Sequence, residues 1–537
     1  MSGTDGVDNM PHAVKVQSIT DALRDAGLLV TESLVDSSLP AVITDLVDDS
    51  RRVRPGTAFL AVRGAVQDGH AWIPAAKATG AALLIVEDAE PAQAAGLPFV
   101  QVRDGRRAAA VAAAAFHGWP ARELTLVGVT GTNGKTTTVG LLRHLLDEPN
   151  RPAASIGTLG VLLGSEGTPM PGGSGLTTPG PVELQRVLRA LVDRGVRAVA
   201  METSSHALHQ RRVEGLTFAA AVFTNLTRDH LDYHGTMDDY RAAKLRLVGL
   251  LSRDGVAVFN GEDPAWRGVT HAPRTLTFGA GGPIATEVAI DVAARDIVYG
   301  TAGSTFLLVT STGAQQVQLP LIGDFNVANA VGAAAAAIGL GMSVREVAQK
   351  LSTVPQVPGR LEMLRSAPTV LRDYAHTPDA LERALAAVRP FTRVALSGAG
   401  NDEPDSRLIV LFGCGGDRDR GKRPEMGRIA ERLADVAIVT SDNPRTEDPE
   451  RILDDIEAGM SSGPDARPHV RIADRRDAIA HALREARPQD VVMLAGKGHE
   501  TYQIRGTTSY PFDEQQIVRE LSYELGLPNT SFGQEQV

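Results

Sequence analysis

The chain has 537 residues, 43% hydrophobic and 22% charged, which is ample for packed cores and excludes a disordered chain. With 54 basic residues against 64 acidic ones, its net charge of −10 excludes a general nucleic-acid binder. Its one cysteine, Cys414, excludes a disulfide framework and a cysteine-rich zinc site.

At about 150 residues per domain the length predicts about three domains. The first residues, MSGTDGVDNMPHAVKV, are partly acidic and have no apolar core, so no signal peptide is expected. The most apolar runs, Ala108–Phe116 and Gly332–Met342, fall short of the ~20 residues that span a bilayer. A cytoplasmic protein without membrane attachment, and a monomer, is the expectation. Strands are predicted at Leu124–Thr130, Arg197–Thr203, Ala220–Leu226, Val256–Asn260, Val370–Ala375, Leu408–Gly413, Val436–Thr440 and Val491–Gly496. Stretches of helical period follow most of them, the pattern of an α/β fold with largely parallel sheets.

Three blocks are expected. Residues 1–121 end after the alanine-rich helix Arg106–His117. Residues 122–356 end at the connector Val354-Pro355-Gln356-Val357-Pro358-Gly359. Residues 357–537 form the third. Ser397–Ser406 reads as a polar surface insertion and Pro528–Val537 as a frayed end. Nearly every unusual polar motif begins where a predicted strand stops, which is where open α/β sheets bind ligands.

The strand Leu124–Thr130 runs into Gly131-Thr132-Asn133-Gly134-Lys135-Thr136-Thr137-Thr138 and then a helical stretch. Glycines let backbone N–H groups curl round a phosphate. The helix start adds partial positive charge, Lys135 a full charge and Thr136 a hydroxyl for Mg²⁺. Val129 stands where the usual pattern has its first glycine, so this is a variant loop. A tight strand–helix turn that binds nothing is the plain alternative.

The next strand ends in Glu202-Thr203-Ser204-Ser205-His206, and the one after it in Asn225-Leu226-Thr227-Arg228-Asp229-His230-Leu231-Asp232-Tyr233-His234. Glu202 offers a hard oxygen to Mg²⁺ beside the phosphate loop. His230 and His234 are four apart, but no HExxH motif or cysteine supports zinc. A helix carrying Tyr240 and Lys244 follows. Read alone, Lys244 is a surface lysine.

GTNGKTTT, METSSHAL and FTNLTRDHLDYHG with the downstream Ala243-Lys244 together resemble the Mur ligases. These ATP-dependent enzymes join amino acids to the UDP-MurNAc peptide of bacterial cell-wall precursors. Gly323–Asn329 (GDFNVAN), Val357–Glu362 (VPGRLE) and Asp373–Asp379 (DYAHTPD) agree, and the resemblance runs from about residue 45 to about residue 520. It implies a small N-terminal α/β UDP-binding domain, a central P-loop mononucleotide-binding domain and a C-terminal Rossmann-like domain.

By that resemblance the catalytic set is Lys135, Glu202, His230 and Lys244. ATP is held by Gly131, Thr132, Asn133, Gly134, Lys135, Thr136, Thr137, Asn326, Arg360, Asp373 and His376. Mg²⁺ takes Thr136, Glu202, His230 and Lys244, the last as its carbamate. Thr203 stands where family members usually carry Val.

The two substrates are read the same way. Ser50, Thr177, Thr178, Ser204, Gln210 and Arg212 match positions for UDP-MurNAc-L-Ala-D-Glu. Three strand ends of the third block carry Arg418, then Asp442-Asn443-Pro444-Arg445, then Gly496 and Glu500. Arginines fork onto carboxylates and Glu500 can take an ammonium. DNPR is the family's signature for meso-diaminopimelate, and Arg418 and Arg445 would meet its far carboxylate. Cys414 has no base partner in sequence and is not expected to be a nucleophile. The resulting expectation is ATP-driven amide formation, with meso-diaminopimelate added through an acyl phosphate. The alternatives are an L-lysine-adding relative, a folylpolyglutamate-synthetase-like ligase and a non-catalytic nucleotide-binding regulator.

Overall fold

β-Branched runs pair into parallel ladders when helices carry the chain back across the sheet. In the computed structural model all eight expected runs are strands. Residues 13–33, 39–64, 67–173, 175–281, 289–300, 302–394, 406–461, 467 and 469–528 are described. Residues 397–405 of the polar segment and 529–537 of the C-terminal end lie outside them.

Two strands shift from the expected bounds for a physical reason. The third runs Phe218–Phe223, starting two residues before the expected Ala220 and ending three before Leu226, because Thr224 and Asn225 leave the ladder to brace the phosphate loop. The fourth lengthens to Leu251–Asn260, with a register shift against Phe218 and Ala220.

The chain divides into two compact units, Met1–Ala293 with Thr310–Gly313 and Asn329–Val347, and Ala294–Val309 with Ala314–Ala328 and Ala348–Val537. The first unit holds two sheets. A five-stranded sheet runs Leu29–Ser33, Phe99–Val102, Leu83–Val86, Thr57–Ala61, Asp45–Val47, parallel except at its Leu29–Ser33 edge. Against it lies the helix Gly105–Phe116, N-capped by Asp104 and buried over nearly its whole length. Alanine side chains let neighbouring elements approach such a helix from several sides. Its Arg107 pairs with Glu214 at 3.0 Å, while Arg186 reaches Asp45 at 3.0 Å.

In the second sheet Thr125–Thr130 lies between Ala198–Glu202 and Phe218–Phe223, all parallel. Ala153–Gly157 flanks Ala198–Glu202 in parallel and continues into an antiparallel arm, Gly160–Leu163 and Thr168–Met170. Because the neighbouring strands run the same way, the motifs that follow them emerge along one edge.

The second unit has a six-stranded sheet in the order Glu362–Ser366, Thr369–Asp373, Val491–Ala495, Leu408–Phe412, Val436–Val439, His469–Arg471. Only the first pair is antiparallel. Alternate residues feed two cores. Val410, Val439 and Met493 pack with Leu381, Met426 and Ile452, and Ile409, Ile438 and Val492 pack with Ile479, Leu483 and Val518. This period of two is what burial on both faces requires. The four inner strands again end on one edge, carrying Asp373, Cys414, Ser441 and Gly496 at or just beyond their last residues.

Candidate functional site

The loop between Thr130 and Lys135 turns at two glycines. Gly131 has φ +150° and Gly134 φ +86°; a Cβ would collide with the Thr224 hydroxyl at the first and with the Asn329 amide at the second. The glycines are therefore required by space as well as by dihedral. Val129 needs no such freedom, because it is still in the strand, opposite Glu202 and Val222.

The loop is braced from behind. Thr132 N donates to Asn225 O at 2.8 Å, Asn133 N to Asn225 Oδ1 at 2.9 Å, and Thr224 Oγ1 to Asn133 O at 2.7 Å. Thr132 and Asn133 thus spend their amides on the protein, and the loop leads directly into the start of the helix Lys135–Leu146, whose end carries partial positive charge. Lys135 Nζ bends over the loop, donating to Gly131 O at 3.0 Å and Thr132 O at 2.7 Å. Thr136 is buried and shares a cavity wall with Glu202.

Glu202 ends its strand 1% exposed and has no ion pair among the described residues. Thr158 holds it, donating its N–H to Oε1 at 2.9 Å and its hydroxyl to Oε2 at 3.3 Å. Sequence reasoning missed Thr158, which follows a run of small residues with no motif of its own. Thr203 donates both its N–H and its hydroxyl to Val129 O, at 2.8 and 3.0 Å, so the hydroxyl at this buried position is satisfied.

The residues expected to contact the UDP substrate are brought together, with Ser50 on a neighbouring segment. Thr178 Oγ1 donates to Glu202 O at 2.8 Å and accepts from Ser204 N at 3.0 Å. Arg212 Nη1 donates to Thr178 O at 3.0 Å, and Arg212 Nη2 to Gln210 Oε1 at 2.7 Å. Thr177 meets Thr158 at 3.3 Å through their hydroxyls. Ser50 lies half-buried in the short helix Ser50–Arg52, whose Arg52 reaches Glu183 at 3.6 Å, on the helix just after Thr177-Thr178-Pro179.

Lys244 corrects its plain reading as a surface lysine. It is 1% exposed, donates to Gly131 O at 2.7 Å and lies 4.3 Å from the Tyr240 ring centre. Burial, with Lys135 nearby, pushes its ammonium well below the ordinary lysine value. A neutral amine is the form that adds to CO₂, and the resulting carbamate would put a hard oxygen donor here. His230, at φ +52°, packs edge-on against His206 with ring centres 4.7 Å apart. Burial lowers its pKa and leaves a neutral imidazole with a lone pair to offer. His234 bonds Ser205 Oγ at 3.0 Å, and zinc has no further support. Glu202, the Thr136 hydroxyl and a Lys244 carbamate are oxygen donors of the kind Mg²⁺ takes, so these residues fit that ion.

In the second unit, Asp373 is buried and accepts from Leu361 N at 2.7 Å and Ala375 N at 2.8 Å. Desolvation raises its pKa. Asp373 thereby fixes the backbone after Arg360, whose guanidinium lies 5.0 Å from the Tyr374 ring centre. His376 Nδ1 is 2.9 Å from Tyr374 O. Asn326 is buried and donates to Ile322 O at 2.8 Å.

The three loops expected to form the amino-acid site do converge. A Cβ on Gly415 would touch both Arg445 and Arg418, and one on Gly496 would strike Asp442 Oδ2. That oxygen is buried and has no hydrogen-bond partner among the described residues. Pro444 is buried too, and its loop docks through Gly416 N to Asn443 O at 2.9 Å. Asn443 Nδ2 donates to Glu500 Oε2 at 2.9 Å. Lys497, which sequence reasoning did not single out, is fully buried and donates to Asn443 Oδ1 and Glu500 Oε2, each at 3.2 Å.

Of the cations in the Cys414–Arg423 stretch, Lys422 donates to His376 O at 2.7 Å and two of the arginines are held by carboxylates. Arg423 is neutralised by Glu447 at 2.9 Å and Asp455 at 2.8 Å, and Arg420 reaches Asp455 at 3.1 Å. Arg423 holds the Glu447 carboxyl at about 2. Among the described residues neither Arg418 nor Arg445 forms an ion pair. Their guanidiniums donate instead to carbonyls, Arg418 to Asp417 O at 3.3 Å and Arg445 to Gly416 O at 2.9 Å. Burial pushes the Cys414 thiol up to about 12, and its neighbour is Met426, so it is packing material.

Family models match three stretches. The one described as "Mur ligase family, catalytic domain" matches residues 43–117, "Mur ligase middle domain" residues 129–337, and "Mur ligase, glutamate ligase domain" residues 359–498. A protein of Geobacillus kaustophilus (strain HTA426) named "UDP-N-acetylmuramoyl-L-alanyl-D-glutamate--2,6-diaminopimelate ligase" is 43% identical over 495 residues, 90% of this chain and 96% of that protein. One of the same name from Gloeobacter violaceus is 44% identical, over 93% of this chain and 98% of the relative. A solved structure of a ligase of that name has TM-score 0.65 and 32% identity, over 96% of this chain and 99% of its own. The structure of a MurF ligase from Thermotoga maritima in complex with ADP shares the fold, at TM-score 0.57 and 20% identity, over 90% of this chain and 97% of its own. No helix among the described residues is long and apolar enough to cross a membrane.

Proposed function

The chain belongs to the Mur ligase family, and on that premise we propose that it is the ATP-dependent ligase that adds meso-diaminopimelate to UDP-MurNAc-L-Ala-D-Glu in peptidoglycan precursor synthesis. It works in the cytoplasm as a monomer, with domains at 1–121, 122–356 and 357–537. The observation that carries the choice of amino acid is the pair Arg418 and Arg445. Among the described residues they are guanidiniums without a carboxylate, beside Asp442 and Glu500, in a loop system where Arg420 and Arg423 are already paired with carboxylates. A substrate with a carboxylate at its far end and an ammonium beside it completes that set.

In the reaction, an oxygen of the D-glutamyl γ-carboxylate attacks the γ-phosphorus of ATP, and ADP leaves. The free amine of diaminopimelate then attacks the acyl carbon, an amide forms, and phosphate departs with the bonding pair. Gly131–Thr137, with Lys135 foremost, hold and neutralise the phosphates. Asn326, Arg360, Asp373 and His376 are the further ATP contacts. Ser50, Thr177, Thr178, Ser204, Gln210 and Arg212 hold the UDP substrate, and Asn443, Pro444 and Gly496 shape the amino-acid pocket. Thr136, Glu202, His230 and carbamylated Lys244 would hold Mg²⁺, which when bound spreads the negative charge of the transferring phosphoryl group.

The test is ADP release by the full-length protein. Release that requires both the UDP-dipeptide and meso-diaminopimelate is expected. Equal use of L-lysine would point to the lysine-adding reading, and ATP binding without turnover to a regulator.

A further inference from the structure

The two best-formed loops of the amino-acid site leave the sheet at Ser441 and Ala495, and one buried guanidinium holds both points. Arg475 opens the helix Arg475–Glu485 and is fully buried. Its Nη1 donates to Ser441 O at 3.3 Å, the residue directly before Asp442-Asn443-Pro444-Arg445. Its Nη2 donates to Ala495 O at 2.9 Å, directly before Gly496 and the run to Glu500. Its Nε donates to Glu514 Oε1 at 2.8 Å, and Glu514 is itself fully buried at the start of the helix Glu514–Glu524. Within the second unit a carboxylate from the C-terminal helix therefore aims a guanidinium between two loop origins.

We infer that Arg475, aimed by Glu514, is a positioning residue for the amino-acid substrate: it sets the spacing between the Asp442–Arg445 loop and the Gly496–Glu500 loop, and through it the affinity for diaminopimelate. The inference rests on the site reading above. The geometry calls for arginine, because a lysine ammonium lacks the planar fork that serves two separate carbonyls and a carboxylate at once. The charge is cancelled by Glu514, so Arg475 offers no competing cation to the substrate. Small displacements of groups that orient a reactant act strongly on binding and rate.

The test uses the full-length protein carrying Arg475→Met together with Glu514→Met. Removing both partners leaves no unpaired buried charge, and such exchanges often leave stability intact. The expected result is a KM for meso-diaminopimelate raised about tenfold or more, with KM for ATP and saturated kcat within about threefold of the unmutated protein. An unchanged KM for diaminopimelate, or an equal loss in all three quantities, overturns the inference. If the double variant does not fold, Arg475→Lys decides: a rise of about threefold or more in the same KM alone supports it, and none overturns it. If the unmutated protein makes no use of diaminopimelate, the site reading falls together with this inference. If it does use it and the KM is unmoved by substitution, only this inference falls.

Discussion

Substituting Arg445 is expected to weaken diaminopimelate binding and to erode the preference for it over L-lysine. One of its five N–H donors reaches Gly416 O at 2.9 Å, and it meets no carboxylate among the described residues. A charge-assisted pair with the substrate's far carboxylate is worth about 1.5–3 kcal/mol. L-Lysine would bring an ammonium near the same guanidinium. Like charges about 5 Å apart at an effective dielectric near 20 repel by about 3 kcal/mol, and half-exposure reduces this to about half. The sum, about 3–4.5 kcal/mol, corresponds to about 10²–10³-fold discrimination in kcat/KM. Arg445→Ala should raise KM for diaminopimelate about 10- to 10²-fold and shrink the discrimination by a similar factor. Lysine turnover should remain poor, because removing repulsion builds no attractive contact. The backbone at Arg445 has φ +52°, so Arg445→Asn is the control: asparagine tolerates this region and separates loss of charge from strain. The assay is ADP release with ATP, the UDP-dipeptide and each of meso-diaminopimelate, L-lysine and L-ornithine. Comparable kcat/KM for lysine and diaminopimelate in the unmutated protein would refute the reasoning.

Lys135→Ala should lower kcat/KM on the order of 10²–10⁴-fold while leaving UDP-substrate affinity in place, measured by calorimetry beside turnover. Lys244→Ala and Lys244→Arg should both abolish turnover, with a short-chain acid partly rescuing the alanine variant; near-normal activity in either would remove Lys244 from the mechanism. Burial depresses the Lys244 pKa, so below the unfolded value of about 10.4 the unfolded chain binds the extra proton and stability falls with falling pH. Lys244→Met should therefore melt higher than the unmutated protein in CO₂-free buffer at pH 7, and the gap should close as pH rises towards 10. Burial also holds His499 at about 4. Its native neutrality costs nothing above the unfolded value of about 6.5, and stability is lost as pH falls from there to about 4. His499→Gln should flatten that part of the pH–stability curve, and an unchanged curve would show that His499 is not the group responsible.

Sequence alone determined the local features of this protein. The phosphate loop is contiguous: its glycines, Lys135 and Thr136 follow a β-branched strand, and the geometry follows from dihedral freedom and a helix start. The eight strands were legible because runs buried on both faces need apolar residues throughout, and the motifs were legible because they stand at those strands' ends. What tertiary structure decided is the state of the charges. Lys244 on its helix is indistinguishable from a solvated lysine until Gly131, 113 residues earlier, and the Tyr240 ring enclose it. Arg423 and Arg445 both look available in the sequence, and only Glu447 and Asp455 reveal that the first is already paired. Lys497 and Arg475 bond to groups up to 54 and 39 residues away in the chain, and Thr158 to Glu202 across 44. Charge and hydrogen-bonding capacity are properties of a residue, but desolvation and partner choice are properties of a place. Folding alone creates the place.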